Sequence, residues 1–325
     1  MSNPTVNFNT PLLDRNNGCW FYRQDVPARA LRSRGWAVSD KDPSAQIQVF
    51  ARTYSIAMIH HAEDLRRAGK TVVFDIDDDY WAVSPMSPHA VEITPSLIAG
   101  IDHMIKNADL VTVSTENLRK VVQDRFKGKK VIALPNSYDT SARNRGKPHR
   151  DLKEITGRVV LLSGSASHAG DFLIIPRIAE RLKGVTWVVL APRPFMDLVP
   201  GAVYLHPVGL DDYLATLRAI GTRQVVGVVP LTEERFNRSK SGLKWVEYAG
   251  SSIPGVYSDY GEYPLVASAF TRAGATAVEW VDAIEKAFAN REALIGQDFL
   301  TFAETGPIEK NIHHWEEAYI AARKV

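Results

Sequence analysis

Short runs of apolar, β-branched residues alternate along this chain with stretches whose apolar positions recur every three to four residues. The runs 5–10 (TVNFNT), 46–51 (QIQVFA), 71–76 (TVVFDI), 110–114 (LVTVS) and 131–135 (VIALP) predict strands. Helical spacing falls between them, near 27–34, 55–68, 94–106 and 116–126. A second series follows, with strands at 158–162, 185–191, 202–206, 225–231 and 254–258. Helices near 170–183, 210–220, 240–250 and 278–290 accompany it. Strands alternating with helices in this way specify parallel sheets covered on both faces. The segment 137–157 has few large apolar residues and carries Gly and Pro, so it reads as a linker. The pattern therefore predicts an α/β protein of two Rossmann-like domains facing each other across a cleft. One spans 1–150 and the second 151–307. The last helical pattern, 308–325, carries Ile312, Trp315, Ala318 and Tyr319 on one face and should dock back on the body.

Composition narrows the class without naming a function. The chain has 325 residues, 45% hydrophobic and 23% charged, which suits a globular protein of two cores. No apolar run approaches the roughly 20 residues of a membrane span. The start, MSNPTVNFNT, lacks the basic and apolar regions of a signal peptide. A single cysteine, Cys19, excludes an internal disulfide, suits the cytoplasm and leaves no thiol set for structural zinc. The net charge is +2, but residues 1–155 carry 22 Lys and Arg against 18 Asp and Glu. That is a weak lean toward an anionic partner for the first half.

The segment FNRSKSGLKWVEYAGSSIPGVYS, residues 236–258, carries the most chemistry. Read as a helix capped by Asn237 or Ser239, it puts Lys240, Lys244 and Glu247 on one stripe. Two lysines and Ser241 beside a helix start suit a diphosphate, and a glutamate two turns on suits a pair of hydroxyls. Diphosphate and ribose on one face describe a nucleotide. After the strand at 158–162 comes a turn of small residues, Ser163 to Asp171, in which Gly164 and Ser165 let a backbone approach a ligand. His168 is the histidine best placed to face the cleft. A loop after the first strand, Gly18 to Arg23, would present Arg23 as a phosphate clamp. The run Asp75, Asp77, Asp78 and Asp79 closes an apolar strand. Carboxylates this close must be paired, cation-bound or well solvated. Metal ligand, catalytic base and acceptor-hydroxyl partner all remain open for it.

In their order along the chain, GCWFYR, VVFDIDDDYW, ADLVTVSTENL with KVIALPNSYD, SGSASHAGDF and NRSKSGLKWVEYAGSSIP resemble the GT-B glycosyltransferases. The likeness is to small bacterial and phage enzymes of the glycosyltransferase 1/4 type, and it covers residues 18 to about 258. It implies a nucleotide-sugar donor, a UDP-sugar foremost, in the second domain and an acceptor in the first. It further implies that Lys240 grips the diphosphate, Glu247 the ribose, Gly164 and Ser165 lie beside the phosphates, and His168 lies near the sugar. Asn136 would mark the crossing between domains. Where retaining members carry a second glutamate, eight residues before Glu247, this chain has Ser239.

An inverting reaction would draw its base from Asp77, Asp78 or Asp79, and the lysines would serve the diphosphate without a metal. Two other classes compete. A haloacid-dehalogenase-type phosphohydrolase would use Asp75 and Asp77, and a nucleotide-sugar-binding module would use no catalytic residue. For the acceptor, Arg29, Arg32 and Arg34, the linker group Arg143, Arg145, Lys147, His149 and Arg150, and the aromatics Trp20, Phe21, Tyr22, Tyr80 and Trp81 point to DNA bearing a hydroxymethylated pyrimidine. A glycan or lipid hydroxyl is the other expectation.

Overall fold

The computed structural model describes residues 3–9, 17–52, 54–206, 208–272 and 274–324, without the side chains of 143, 144 and 272. Thr10, the end of the first expected strand, and the Arg143 side chain thus lie outside the described residues.

Two parallel sheets of six strands form the frame. The first contains β1 (Val6–Asn9), β2 (Val38–Ser39), β3 (Ile47–Ala51), β4 (Thr71–Ile76), β5 (Leu110–Val113) and β6 (Val131–Ala133), in the order β2-β1-β3-β4-β5-β6. The second contains β7 (Val159–Ser163), β8 (Thr186–Leu190), β9 (Val203–Leu205), β10 (Val225–Val229), β11 (Gly255–Asp259) and β12 (Phe270–Arg272), in the order β12-β11-β10-β7-β8-β9. β3, β4, β7 and β10 are buried along their whole length. This is why they read as continuous apolar runs and not as alternating ones. In each sheet the strand order reverses beside the first strand, between β1 and β3 and between β7 and β10. Loops leaving the strand ends on either side of such a reversal diverge and open a crevice.

Several elements differ from the sequence reading. Residues 18–33 are helical throughout, with an α turn at Gly18–Trp20, a π segment at Phe21–Asp25 and an α-helix at Val26–Ser33. The expected loop at 18–23 is absent because the Asn17 side chain caps the helix, accepting from the Trp20 N–H at 2.8 Å. The helix expected from 240 starts at Leu243, after Gly242, and has no side-chain cap. Asn237 belongs to a separate short helix, Arg235–Arg238, and Ser239 ends it. The strands β2 and β12 and the helix Arg291–Thr305 were not predicted. β2 is too short to leave a pattern, and the helix exposes Phe299 and Leu300 instead of burying a regular stripe.

The chain crosses between the sheets twice, and the crossings touch. The Tyr138 N–H donates to the Gly306 carbonyl at 2.8 Å, and the Ile308 N–H donates to the Tyr138 carbonyl at 2.9 Å. From there the helix Ile308–Ala322 returns to the first domain and buries Ile312, Trp315 and Tyr319. Glu316 fixes it there by accepting from Arg34 Nε at 2.7 Å and Trp36 Nε1 at 2.9 Å.

Arg23 sits where these parts meet and is 1% exposed. Its Nε and Nη2 reach Asp75 Oδ1 and Oδ2 at 3.0 and 2.7 Å. Its Nη1 donates to the Leu134 carbonyl and to Asn136 Oδ1. Its plane lies 4.9 Å from the Trp315 ring. Asp75 also accepts from Thr112 Oγ1 at 2.6 Å. Removing one member would strand the other charge without water. Arg23→Met is therefore expected to lower the unfolding free energy by about 3–5 kcal/mol. Urea denaturation measures this, and a midpoint within error of the native protein would refute the role.

Candidate functional site

The two crevices face one another, and loops from both line the gap. On the second-domain side β7 ends at Ser163 and the chain turns through Gly164 into a short 3-10 helix, Ala166–His168. A Cβ on Gly164 would lie 2.7 Å from the Phe172 ring and 3.3 Å from the His168 ring. Glycine is required there for the turn to close. Ser165 Oγ and Ser167 Oγ share a hydrogen bond of 2.8 Å, and Lys240 Nζ donates to Ser167 Oγ at 3.1 Å. Lys240 therefore lies over the small-residue turn, with its ammonium 4.9 Å from the Phe236 ring.

His168 stacks on Phe172, with centroids 5.6 Å apart and planes at 13°. Its Nδ1 donates to Asp171 Oδ2 at 2.8 Å, so Nε2 carries the lone pair. Burial, and then the Lys240 charge, hold the imidazole down at about 4 against the opposing pull of Asp171. Asp171 is a hub. Its Oδ1 accepts from the Thr232 N–H at 2.8 Å, Thr232 Oγ1 at 2.6 Å and Asn237 Nδ2 at 2.7 Å. Burial pushes this carboxyl up, but the bonds from His168 and Thr232 outweigh it and hold it below the usual range. One carboxylate thus ties the turn after β7, the turn after β10 and the short helix that delivers Lys240.

Lys244 and Glu247 form a second, closed cluster. Glu247 is 2% exposed, and its Oε2 accepts from Lys244 Nζ at 2.5 Å and Tyr213 OH at 2.7 Å. Its Oε1 accepts from Tyr22 OH at 2.8 Å, and Tyr22 belongs to the first domain. Burial opposes charge on Lys244, but Glu247 prevails and raises its pKa. Ser241 Oγ accepts from Asn136 Nδ2 at 2.9 Å, so Asn136 joins Arg23 to the second domain.

Across the gap, the four carboxylates after β4 have different fates. Asp75 is consumed by Arg23 and Thr112. Asp79 is 0% exposed and accepts from Arg235 Nε of the second domain at 2.9 Å. Asp77 lies 3.7 Å from Arg52 Nε. Burial, and then Asp77, raise the Asp78 carboxyl, while Lys240 and Arg52 pull it back. Arg52 ends β3 in the left-handed region, at φ 51°, a conformation that strains a residue with a Cβ. Its Nε donates to Tyr80 OH at 2.5 Å. Asn17, Cys19, Trp20, Arg52 and Tyr54 line a small pocket here. Burial, and then Asp77, push the Cys19 thiol well up, which leaves it no nucleophile.

The structure brings Gly164, Ser165, His168, Lys240 and Asp78 together, while Ser241, Lys244 and Glu247 lie behind them in bonded positions. Arg23 is no phosphate clamp, because every face of its guanidinium is taken. Asp79 is an interdomain partner and not a free base. Asp75, the nucleophile of the phosphohydrolase alternative, is sealed from water and substrate. Several of the features that pointed to DNA have other partners. Arg29 pairs with Asp25 and Asp139, Arg34 with Glu316, Arg145 with Asp139 and Asp211, and Arg150 with Asp151. Phe21, Tyr22 and Tyr80 are buried, and the Trp81 indole N–H donates to Asp102. Sequence reasoning gave no role to Asp171, Tyr213 and Arg52, and placed Tyr22 on the acceptor side and not on Glu247. Only Asp171 left a signal, three residues after His168.

Among the described residues no helix is long and apolar enough to cross a membrane, and no three His, Cys, Asp or Glu side chains are grouped to hold a metal ion. No family model matches the chain, and no curated protein does. Solved structures match over nearly its whole length. Sucrose-phosphate synthase from Thermosynechococcus elongatus superposes with a TM-score of 0.72 at 12% identity, covering 98% of each chain. Anabaena HepE, solved with UDP and glucose, gives 0.65 at 12% identity, covering 97% of this chain and 99% of that one. A UDP-forming trehalose-phosphate synthase from Burkholderia xenovorans gives 0.57 at 16%, covering 93% and 77%. The chain has the GT-B fold of these glycosyltransferases.

The His168 value implies a pH dependence. Its folded pKa of about 4 lies below the ordinary 6.5, so the unfolded chain binds the extra proton first as pH falls. Stability should be full above pH 6.5 and drop by about 3 kcal/mol as pH falls to 4. Glutamine can still donate to Asp171 without titrating, so His168→Gln should flatten that decline. Chemical denaturation across this range checks it, and parallel curves for the two proteins would contradict the assignment.

Proposed function

We propose that this protein is a glycosyltransferase that moves a sugar from a nucleotide-sugar, a UDP-sugar foremost, to an acceptor hydroxyl held against the first domain. The observation that carries this reading is Lys240 bonded to Ser167 over the small-residue turn, at the crevice of the second sheet and facing Asp78. Both groups lie at the strand ends where an open α/β sheet takes its ligand. The GT-B fold and the neighbours solved with UDP, HepE and the pneumococcal transferase GtfA, support the donor class.

Cleavage of a glycosyl–phosphate bond places negative charge on the departing diphosphate. Lys240 is the cation for that charge, and Gly164 and Ser165 let the turn approach the phosphates. Lys244 and Glu247 form the ribose side. His168, kept neutral, offers Nε2 to a sugar hydroxyl. Asp78 is the base for an acceptor proton, because burial beside Asp77 raises its affinity for one while Lys240 keeps it within reach of ionisation. Ser239 supplies no second carboxylate, and its carbonyl is occupied by Thr115 Oγ1 at 3.0 Å. The small pocket beside Arg52 suits a hydroxyl on a glycan, lipid-linked sugar or small molecule better than a DNA duplex, since Arg29, Arg34 and Arg145 are paired with acids of this chain.

Turnover of UDP-sugars with a panel of such acceptors, scored by release of UDP, separates an enzyme from a binding module. Lys240→Ala is expected to lower kcat/KM about 10- to 100-fold through loss of a charge-assisted contact. Asp78→Asn should lower kcat with little change in donor binding. Near-native kinetics in both variants would sink the reading. Donor binding should survive EDTA, because Lys240 supplies the positive charge. Binding lost with EDTA and restored by magnesium or manganese would contradict that part.

A further inference from the structure

We propose that Tyr22 stands in for a ribose hydroxyl on Glu247, so that nucleotide binding requires this tyrosine to withdraw. The inference rests on the donor reading above and concerns a residue that reading does not use. Glu247 Oε2 already has two donors, Lys244 and Tyr213, which is as many as one carboxylate oxygen readily takes. Oε1 has one, the Tyr22 hydroxyl. With Glu247 and Tyr22 each 2% exposed, no second hydroxyl reaches Oε1 while the ring is there.

The two sides of this contact differ in origin. Glu247, Lys244 and Tyr213 all belong to the second domain. Their mutual bonds, including Lys244 Nζ to Tyr213 OH at 2.9 Å, would persist if the first domain moved away. Tyr213 and Tyr248 are held in turn by Ser163 Oγ at 3.2 and 2.9 Å. What remains after Tyr22 leaves is a carboxylate oxygen fixed in direction and lacking a donor, which suits one hydroxyl of a nucleoside diol. Tyr22 lies in the π segment Phe21–Asp25, an irregular turn of the kind that single helices use to aim a side chain. Other polar ties across the gap include Asp79 with Arg235, Thr115 with the Ser239 carbonyl, Asn117 with Glu262 and Asn136 with Ser241. Tyr22 therefore makes this interdomain contact compete with the nucleotide for a single oxygen. A competing internal contact lowers apparent affinity by the fraction of molecules it holds closed.

The test is titration calorimetry of the full chain and of Tyr22→Phe with UDP, GDP and ADP, followed by the 2′-deoxy form of whichever binds. Loss of the hydroxyl should tighten the nucleotide Kd about three- to tenfold. The variant should also melt at a lower temperature without ligand, since Oε1 then lacks its donor. Both proteins should prefer the ribose form to the deoxy form. An unchanged or weaker Kd in Tyr22→Phe, with the native protein binding normally, would overturn the competition and leave the donor reading intact. Binding of no nucleotide by either protein would overturn the donor reading together with this one. Binding by the variant alone would support both.

Discussion

A guanidinium without water must be wrapped in acceptors, and the rest of this structure is arranged around the one that is. Arg23 draws together β4 through Asp75, the exit of β6 through Leu134, the domain crossing through Asn136 and the returning helix through Trp315. Because Asp75 is committed to it, the acidic run after β4 is divided before any ligand arrives. Asp79 is divided off in the same way by Arg235, which leaves Asp77 and Asp78 as the carboxylates at the gap. A run of like charges that would repel in isolation is sorted by its partners into two members bonded into the frame and two left at the gap.

On the opposite side the sorting is done by one anion. Asp171 accepts from a histidine, a threonine and an asparagine that belong to three separate segments. It fixes the tautomer of His168 and the path of the chain leading to Lys240. The ammonium in turn disfavours a proton on His168 and favours its loss from Asp78. Charge states across the gap are thus linked through Lys240, a cation that both neighbours feel.

The fold was legible because strands buried on both faces are predominantly apolar, and β3, β4, β7 and β10 are buried along their length with few polar members, Gln48 and Asp75 among them. The residues proposed for the second-domain site were picked from type and spacing, and the geometry assumed for them was not the one found. Lys240 precedes the helix, because the backbone ends one short helix at Ser239 and begins the next only after Gly242. Sequence could not show that Arg23 is interior, since its partner lies 52 residues away. The Tyr22 to Glu247 bond joins residues 225 apart, and nothing in either neighbourhood announces it. Local pattern reports burial and propensity, whereas pairing across a gap between domains is a property of the assembled chain. Several of the arginines that suggested a nucleic acid, Arg29, Arg34 and Arg145 among them, have acids from distant segments beside them, which local pattern does not report. A basic residue looks available until its acid is located.

The contact of the two crossings at Tyr138, Gly306 and Ile308 limits what this molecule can do mechanically. Two chain segments pinned side by side act as a door hinge with closely spaced knuckles. Rotation about the line through them disturbs the backbone bonds that join them least, whereas twist and sliding would shear them. Of the relative motions, an opening like that of a book is the one this contact resists least. Every side chain on the first domain's facing edge moves along an arc whose length grows with its distance from that spine. The returning helix travels with the first domain, so a substitution on its buried face alters the swing of the whole leaf without touching the gap.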